Sequence, residues 1–357
     1  MTSRAKTLDD VARLAGVSYQ TVSRVLNRPA QVSPRTQQRV EAAMRQLNYV
    51  PNRVAQQLAG KATRTLGLAT SDLALMAPAQ IASAIQHRAA AQGYHLVMAM
   101  TAESGAAAAR ATVNELLAQR VDGLLINLPL ESADALQLQI LCAEKPTLFL
   151  DVAAEAAVAQ CQYSSAAGAQ LGVAHLLALG HRKIGLLNGP AHSVSARQRF
   201  HAWEQALAAQ QLRPHCVLTG DWSAGSGYQA IMTLLPHNLP QALLVANDQM
   251  ALGAMRALHQ HGVAIPEDIS LIGYDDTAES AWYQPPLTTV RQDLKRLGEV
   301  SVDRLLARLH AEADATPALE TALVLRATTA PPSSGKADRQ ALARQLQRIA
   351  RQLDEQP

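Results

Sequence analysis

The chain has 357 residues, 48% hydrophobic and 3% aromatic, with 32 Lys+Arg against 29 Asp+Glu. That length allows about two or three domains, with cores built from Leu, Val, Ile, Ala and Met rather than from rings. The three scattered cysteines, Cys142, Cys161 and Cys216, match neither a disulfide framework nor a zinc motif, and no run approaches the roughly 18 apolar residues of a membrane span.

The first residues are polar and lead into no signal-peptide-like stretch, so the expectation is a cytoplasmic protein with no membrane partner. Charge is segregated along the chain. Residues 1–64 hold 11 Lys/Arg against 3 Asp/Glu, whereas residues 65–335 hold 16 against 23. A small basic module that meets a polyanion, joined to a core that does not, accounts for this split; a merely solvated basic face is the plainer alternative. Thr7, with Asp10 three residues on, has the capping-box pattern for a first helix. Leu8, Val11, Ala12 and Ala15 give that helix one apolar face. Gly16-Val17-Ser18 interrupts it, and Ser18 caps a second helix over residues 19–27. Val22, Val25 and Leu26 face inward there, leaving Tyr19, Gln20, Ser23, Arg24 and Asn27 outside. Ser33 and Pro34 start a third helix with Val40, Ala43, Met44 and Leu47 as its stripe.

Three short helices, the second with a hydrogen-bonding outer face, make a helix-turn-helix suited to double-stranded DNA. Arg24 offers two donors to a guanine, and Gln20 pairs with adenine or another base edge. Tyr19 offers a hydroxyl, while Arg13, Arg35, Arg39 and Arg53 suit backbone phosphates. The run Leu8-Asp-Asp-Val-Ala-Arg-Leu-Ala-Gly-Val-Ser-Tyr-Gln-Thr-Val-Ser-Arg-Val-Leu-Asn resembles the LacI/GalR family of bacterial repressors. The similarity continues through Asn52-Arg-Val-Ala-Gln-Gln-Leu-Ala-Gly-Lys61 and extends over nearly the whole chain. It implies an operator as the DNA partner. Residues 50–61 are helix-prone but too short to be stable alone, so they are expected to fold on DNA beside a second copy. By resemblance, Leu58 is the apolar wedge of this hinge helix in the minor groove.

From residue 65, short apolar runs alternate with helical stretches. Residues 66–70, 95–100, 123–127 and 147–151 read as one set of strands, and 183–188, 242–247 and 270–275 as a second. Alternation of this kind predicts parallel sheets with right-handed crossovers, here in two similar halves with crossings near 160 and 290. The expected fold class is therefore an all-α helix-turn-helix headpiece plus an α/β core of two Rossmann-like lobes, a plan that the resemblance also implies and shares with periplasmic binding proteins.

Asn127, Asp151, Asn247 and Asp275 each end an apolar run. In open α/β sheets the ligand crevice lies outside the carboxyl ends of the strands, although each side chain could instead cap the helix that follows. Carboxylates, amides and an arginine fork suit a polyol. The resemblance assigns Asp151, Arg199, Asn247 and Asp275 to sugar hydroxyls, with Ser193, Asn127 and Gln292 nearby, and Leu75, Ala77, Pro78, Ile81 and Trp222 to the apolar wall. It implies a galactoside inducer. Leu294 stands where the resemblance expects a phenylalanine on that wall, and Met76 where it expects a histidine near the cleft mouth.

Gly225-Ser-Gly227-Tyr-Gln-Ala230, with Asp248 about 20 residues on, fits a dinucleotide fingerprint. Its first glycine does not directly follow a strand, so an oxidoreductase is the lesser reading. No catalytic set, metal cluster or cofactor site is expected elsewhere. An exported sugar-binding transport protein should carry a leader and no helix-turn-helix. Beyond a Pro/Ser/Gly linker, Leu342, Leu346, Ile349 and Leu353 repeat at heptad spacing. The resemblance reads this seam as joining two homodimers into a tetramer. The expected organisation is a headpiece at 1–49, a hinge helix at 50–61, a two-lobed core at 62–330, a linker at 331–340 and a tetramerisation helix at 341–357.

Overall fold

The computed structural model describes residues 6–27, 29–49, 63–313 and 318–333. Leu58 and the seam residues Leu342, Leu346, Ile349 and Leu353 lie outside these. The chain divides into two compact units, residues 1–63 and 64–357.

In the first unit, α1 (Leu8–Ala15), α2 (Tyr19–Asn27) and α3 (Pro34–Gln46) form as local chemistry requires. The Thr7 backbone N–H donates to the Asp10 carboxylate at 2.9 Å, and the Asp10 N–H returns to Thr7 Oγ1 at 3.4 Å. The Thr7 backbone N–H, and then the Thr7 hydroxyl donating to Asp10 Oδ2 at 3.0 Å, hold the Asp10 carboxyl below its usual range. Gly16 ends α1 at φ 61, a left-handed position that glycine fills without strain. Ser18 Oγ accepts from Thr21 N at 3.2 Å, and Ser33 Oγ from Thr36 N at 3.4 Å. Val11, Ala12, Ala15, Val22, Val25, Val40 and Ala43 fill the centre. Arg39, exposed and expected on phosphate, also donates through Nη2 to the Ala15 and Gly16 carbonyls. It satisfies the orphan acceptors at the end of α1.

The second unit holds two sheets. One has the order β2-β1-β3-β4, all parallel, from β1 (Thr65–Thr70), β2 (His95–Met100), β3 (Gly123–Asn127) and β4 (Thr147–Phe149). The other has the order β10-β9-β8-β7-β5-β6, from β5 (Ile184–Asn188), β6 (Val217–Thr219), β7 (Ala242–Val245), β8 (Ser270–Asp275), β9 (Thr288–Arg291) and β10 (Ala322–Val324). Among the described strands, only β10 runs antiparallel. Every residue of β1, β3, β5, β7 and β8 is buried, as expected of parallel strands covered on both faces.

Helices α4 (Met76–Ala91), α5 (Ala106–Ala118) and α6 (Ser132–Leu141) belong to the first lobe. The second lobe carries α7 (Ser165–Ala178), α8 (Val194–Ala208), α9 (Ala224–Leu234) and α10 (Asp248–Gln260). Helix α11 (Leu294–Leu309) returns to the first, where Leu297, Val300, Val302 and Leu305 join Leu66, Leu68 and Ile85 in one core. The chain then crosses once more to make β10. The sequence reading had two crossings; the third ends in a three-residue strand too short to carry a pattern. Strands β4 and β7 also stop earlier than expected, so Asp151 and Asn247 sit two residues beyond a strand rather than on it.

Candidate functional site

A cavity of about 620 Å³ lies between the lobes, where the carboxyl ends of both sheets meet. All twelve residues expected to face an effector line it. Asn127 closes β3, Asp275 closes β8, and Asp151, half-buried, follows β4. Ser193 caps α8 by accepting from Ala196 N at 3.3 Å. Leu75, Ala77, Pro78 and Ile81 form the wall at the start of α4, and Leu294 with Leu297 extends it from α11.

The chemistry centres on Arg199, 7% exposed on α8. Its guanidinium lies 3.5 Å from Asp275 Oδ1 and donates to the Ala246 carbonyl. It stacks 3.9 Å from the centre of the Tyr274 ring and 5.6 Å from that of Trp222. Arg199 Nε is buried without a protein acceptor, and such a donor is costly to leave unmade. Trp222 is held at φ 78, its carbonyl accepting from Asn247 Nδ2 at 2.9 Å. Asn247 Oδ1 meanwhile accepts from Met250 N at 2.9 Å. Asn247 therefore does both things its position allowed: it caps α10 and lines the cavity. Gln292 follows β9, and its backbone N–H donates to the Asp275 carbonyl at 3.2 Å.

Two carboxylates share this one guanidinium. Burial pushes Asp275 up to about 7 and Asp151 to about 6, with Arg199 opposing the rise in both. The protonated form of Asp275 thus gives the fold an advantage that is complete below about 3.8, its unfolded value, and is lost as pH rises through about 7. Asparagine imitates the protonated form at every pH. Asp275→Asn is therefore expected to raise the unfolding free energy at pH 8 by at most about 4 kcal/mol, and to change little at pH 4. Lower stability at pH 8 would mean that the Arg199 pair outweighs burial.

Sequence reasoning missed Gln249, Gln162, Ser195, Gln198 and Tyr163, which also line the cavity. Gln249 is instructive. Helix α4 has no side-chain cap of its own; its first N–H, on Met76, donates across the cleft to Gln249 Oε1 at 3.2 Å. Arg197 and Glu131 bridge the lobes at another edge. Gln249 sits in the first turn of α10, two residues after the expected site residue Asn247, and that neighbourhood was the available signal. Among the described residues, no three His, Cys, Asp or Glu could hold a metal, and no helix is long and apolar enough to cross a membrane.

The dinucleotide pattern has a packing explanation. A Cβ on Gly227 would stand 2.1 Å from the Met250 carbonyl oxygen, and one on Gly253 would stand 1.8 Å from that of Ala224. These glycines let α9 and α10 touch backbone to backbone. Asp248 is fully buried and bonded to Thr277, Ser280 and Thr289, so it is not free to hold a ribose.

In the first unit, Tyr19, Gln20 and Arg24 are exposed along α2, Ser23 is half-buried, and Asn27 closes the helix. Tyr19, Gln20, Ser23 and Arg24, all expected to read bases, thus share one helix.

Residues 7–52 match the lacI family of bacterial regulatory proteins, and residues 173–329 match a periplasmic binding protein-like domain. The chain is 51% identical to the lactose operon repressor of Escherichia coli over 97% of both chains. It is 43% identical to the lactose operon repressor of Klebsiella pneumoniae, over 99% of this chain and 100% of that one. A crystal structure of the lac repressor dimer bound to operator and the anti-inducer ONPF superposes with a TM-score of 0.86 at 50% identity, covering 92% of this chain and 100% of that one. With a headpiece, a two-lobed core and this likeness over its length, the chain belongs to the lacI family of bacterial regulatory proteins.

Proposed function

We propose that this protein is a transcriptional repressor of a lactose-type sugar operon, released from its operator by a galactoside. The observation that carries the reading is the cavity: a guanidinium, two carboxylates, amides and an indole at the sheet tips, in a chain that also presents an exposed base-reading helix. Hydroxyls pair with the polar side, and an apolar C–H face or aglycone lies against Trp222, Leu75 and Ile81. Calorimetry with galactosides, glucosides and ribose tests this; heat from the galactosides alone is expected, and equal affinity for all three classes contradicts it.

Two copies grip a pseudo-palindromic operator in the cytoplasm, each reading one half-site through Tyr19, Gln20, Ser23, Arg24 and Asn27. Leu58 wedges the minor groove from the hinge at residues 50–61. Arg24→Ala is expected to cost about 1–3 kcal/mol on the cognate operator and to relax preference at one base pair. Equal losses across all operator variants would make Arg24 a phosphate contact. The seam Leu342, Leu346, Ile349 and Leu353 joins two dimers, because one amphipathic helix on the 331–340 linker has no core of its own to bury it. Sedimentation of a chain ending at Pro332 is expected to give dimers, and an unchanged tetramer would rule the seam out.

A further inference from the structure

Asp275 owes its aim to a neighbour that never reaches the cavity. After β8 the chain turns through Asp275 at φ 113 and Asp276 at φ 58, two consecutive side-chain-bearing residues in a region that L residues adopt only at a cost. Such a turn persists when its surroundings over-determine it. Here they do so from two sides. Asp276, its side chain 7% exposed, accepts from Arg291 Nε at 2.6 Å and from Arg326 Nη2 at 2.5 Å. Arg326 is itself fixed by donating to the Leu287 carbonyl at 2.7 Å. On the far side, Thr277 N and Ser280 Oγ donate to Asp248 Oδ2 at 3.0 and 2.6 Å, and Thr289 Oγ1 donates to Asp248 Oδ1 at 2.6 Å. None of Asp248, Asp276, Arg291 or Arg326 lines the cavity.

We propose that Asp276, clamped between Arg291 and Arg326, is a positioning residue that holds the strained turn and so fixes the Asp275 carboxyl toward the effector. The clamp rests on the galactoside reading above and deepens it. Two guanidiniums, one on each oxygen of the same carboxylate, fix its direction as well as its distance. Its loss lets the turn relax to negative φ and swings Asp275 away from the ligand while the sheets stay intact.

The test is a double-mutant cycle in the full chain, with methyl β-galactoside as the probe, followed by tryptophan fluorescence. Asp276→Asn is expected to weaken binding about tenfold or more and to leave operator affinity without sugar within about twofold. In an Asp275→Ala background the same substitution is expected to do nothing further, because Asp276 acts only through Asp275. Arg291→Gln removes the exposed arm of the clamp, where folding is least at stake, and is expected to give a smaller loss of the same kind. Parent-like sugar affinity in both Asp276→Asn and Arg291→Gln overturns the clamp. So does an undiminished loss in the Asp275→Ala background, which a merely structural role would produce. A parent chain that ignores methyl β-galactoside sinks the galactoside reading and the clamp with it; a parent that binds beside unaffected variants sinks the clamp alone.

Discussion

Asp275→Ala is expected to lower galactoside affinity by roughly 30-fold to 1,000-fold while repression persists. Truncating one partner of a close, buried charge pair costs about 2–5 kcal/mol, and Arg199 would lose the one carboxylate that stands within 4 Å of it among the described residues. Arg199 keeps the Ala246 carbonyl and the Tyr274 ring, so the pocket stays formed and the loss falls on ligand hydroxyls. Substitution here lies far along the chain from the headpiece, whose core of Val11, Val22 and Val40 is its own. Fluorescence titration with a galactoside and gel-shift with operator measure the two arms. Sugar affinity within threefold of the parent would remove Asp275 from the site.

Gly253→Ala is expected to lower the unfolding temperature by roughly 5–10 °C. The added methyl would stand 1.8 Å from the Ala224 carbonyl oxygen and 2.7 Å from Tyr228 N. Backbone cannot step aside as the tip of a flexible side chain can, so α9 and α10 must separate. Overpacking of this kind costs about 1–3 kcal/mol and occasionally more, and each kcal/mol moves a domain of this size by roughly 2–4 °C. Gly227→Ala meets the Met250 carbonyl oxygen at 2.1 Å and is expected to behave alike. Differential scanning calorimetry checks both. Parent-like unfolding temperatures would mean that the helices do not touch here, and would reopen the nucleotide reading of this pattern.

Most of the strands that the sequence revealed are covered on both faces: β1, β3, β5 and β7 read as apolar runs because every residue is buried, whereas β2, little of it buried at a sheet edge, was legible from its apolar run alone. Those it hid fail for physical reasons. Strand β6 is three residues long and partly exposed at a sheet edge. Strand β9 opens with two threonines that look like surface residues. Both are buried, their hydroxyls satisfied by Arg326 N and Asp248, partners that only the fold brings near. The same holds at the site. The strand-end rule pointed to Asn127, Asp151, Asn247 and Asp275, since it depends on local pattern alone. Gln249 escaped because its partner, Met76 N, is 173 residues away. The charge pattern likewise hid a second task of Arg39, as donor to the carbonyls that end α1.

A galactoside can empty the operator only by preferring the released state. Moving the population from 99:1 to 1:99 takes about a 10⁴-fold preference, roughly 5.5 kcal/mol. The most direct measurement is fluorescence anisotropy of labelled operator held by the full chain while methyl β-galactoside is added. The expected trace falls to the value of free DNA as sugar saturates, and stays flat under the same titration in Asp275→Ala. DNA held with unchanged tightness by the parent at saturating sugar would show that cavity and headpiece are not linked, and would leave a DNA-binding protein without its effector.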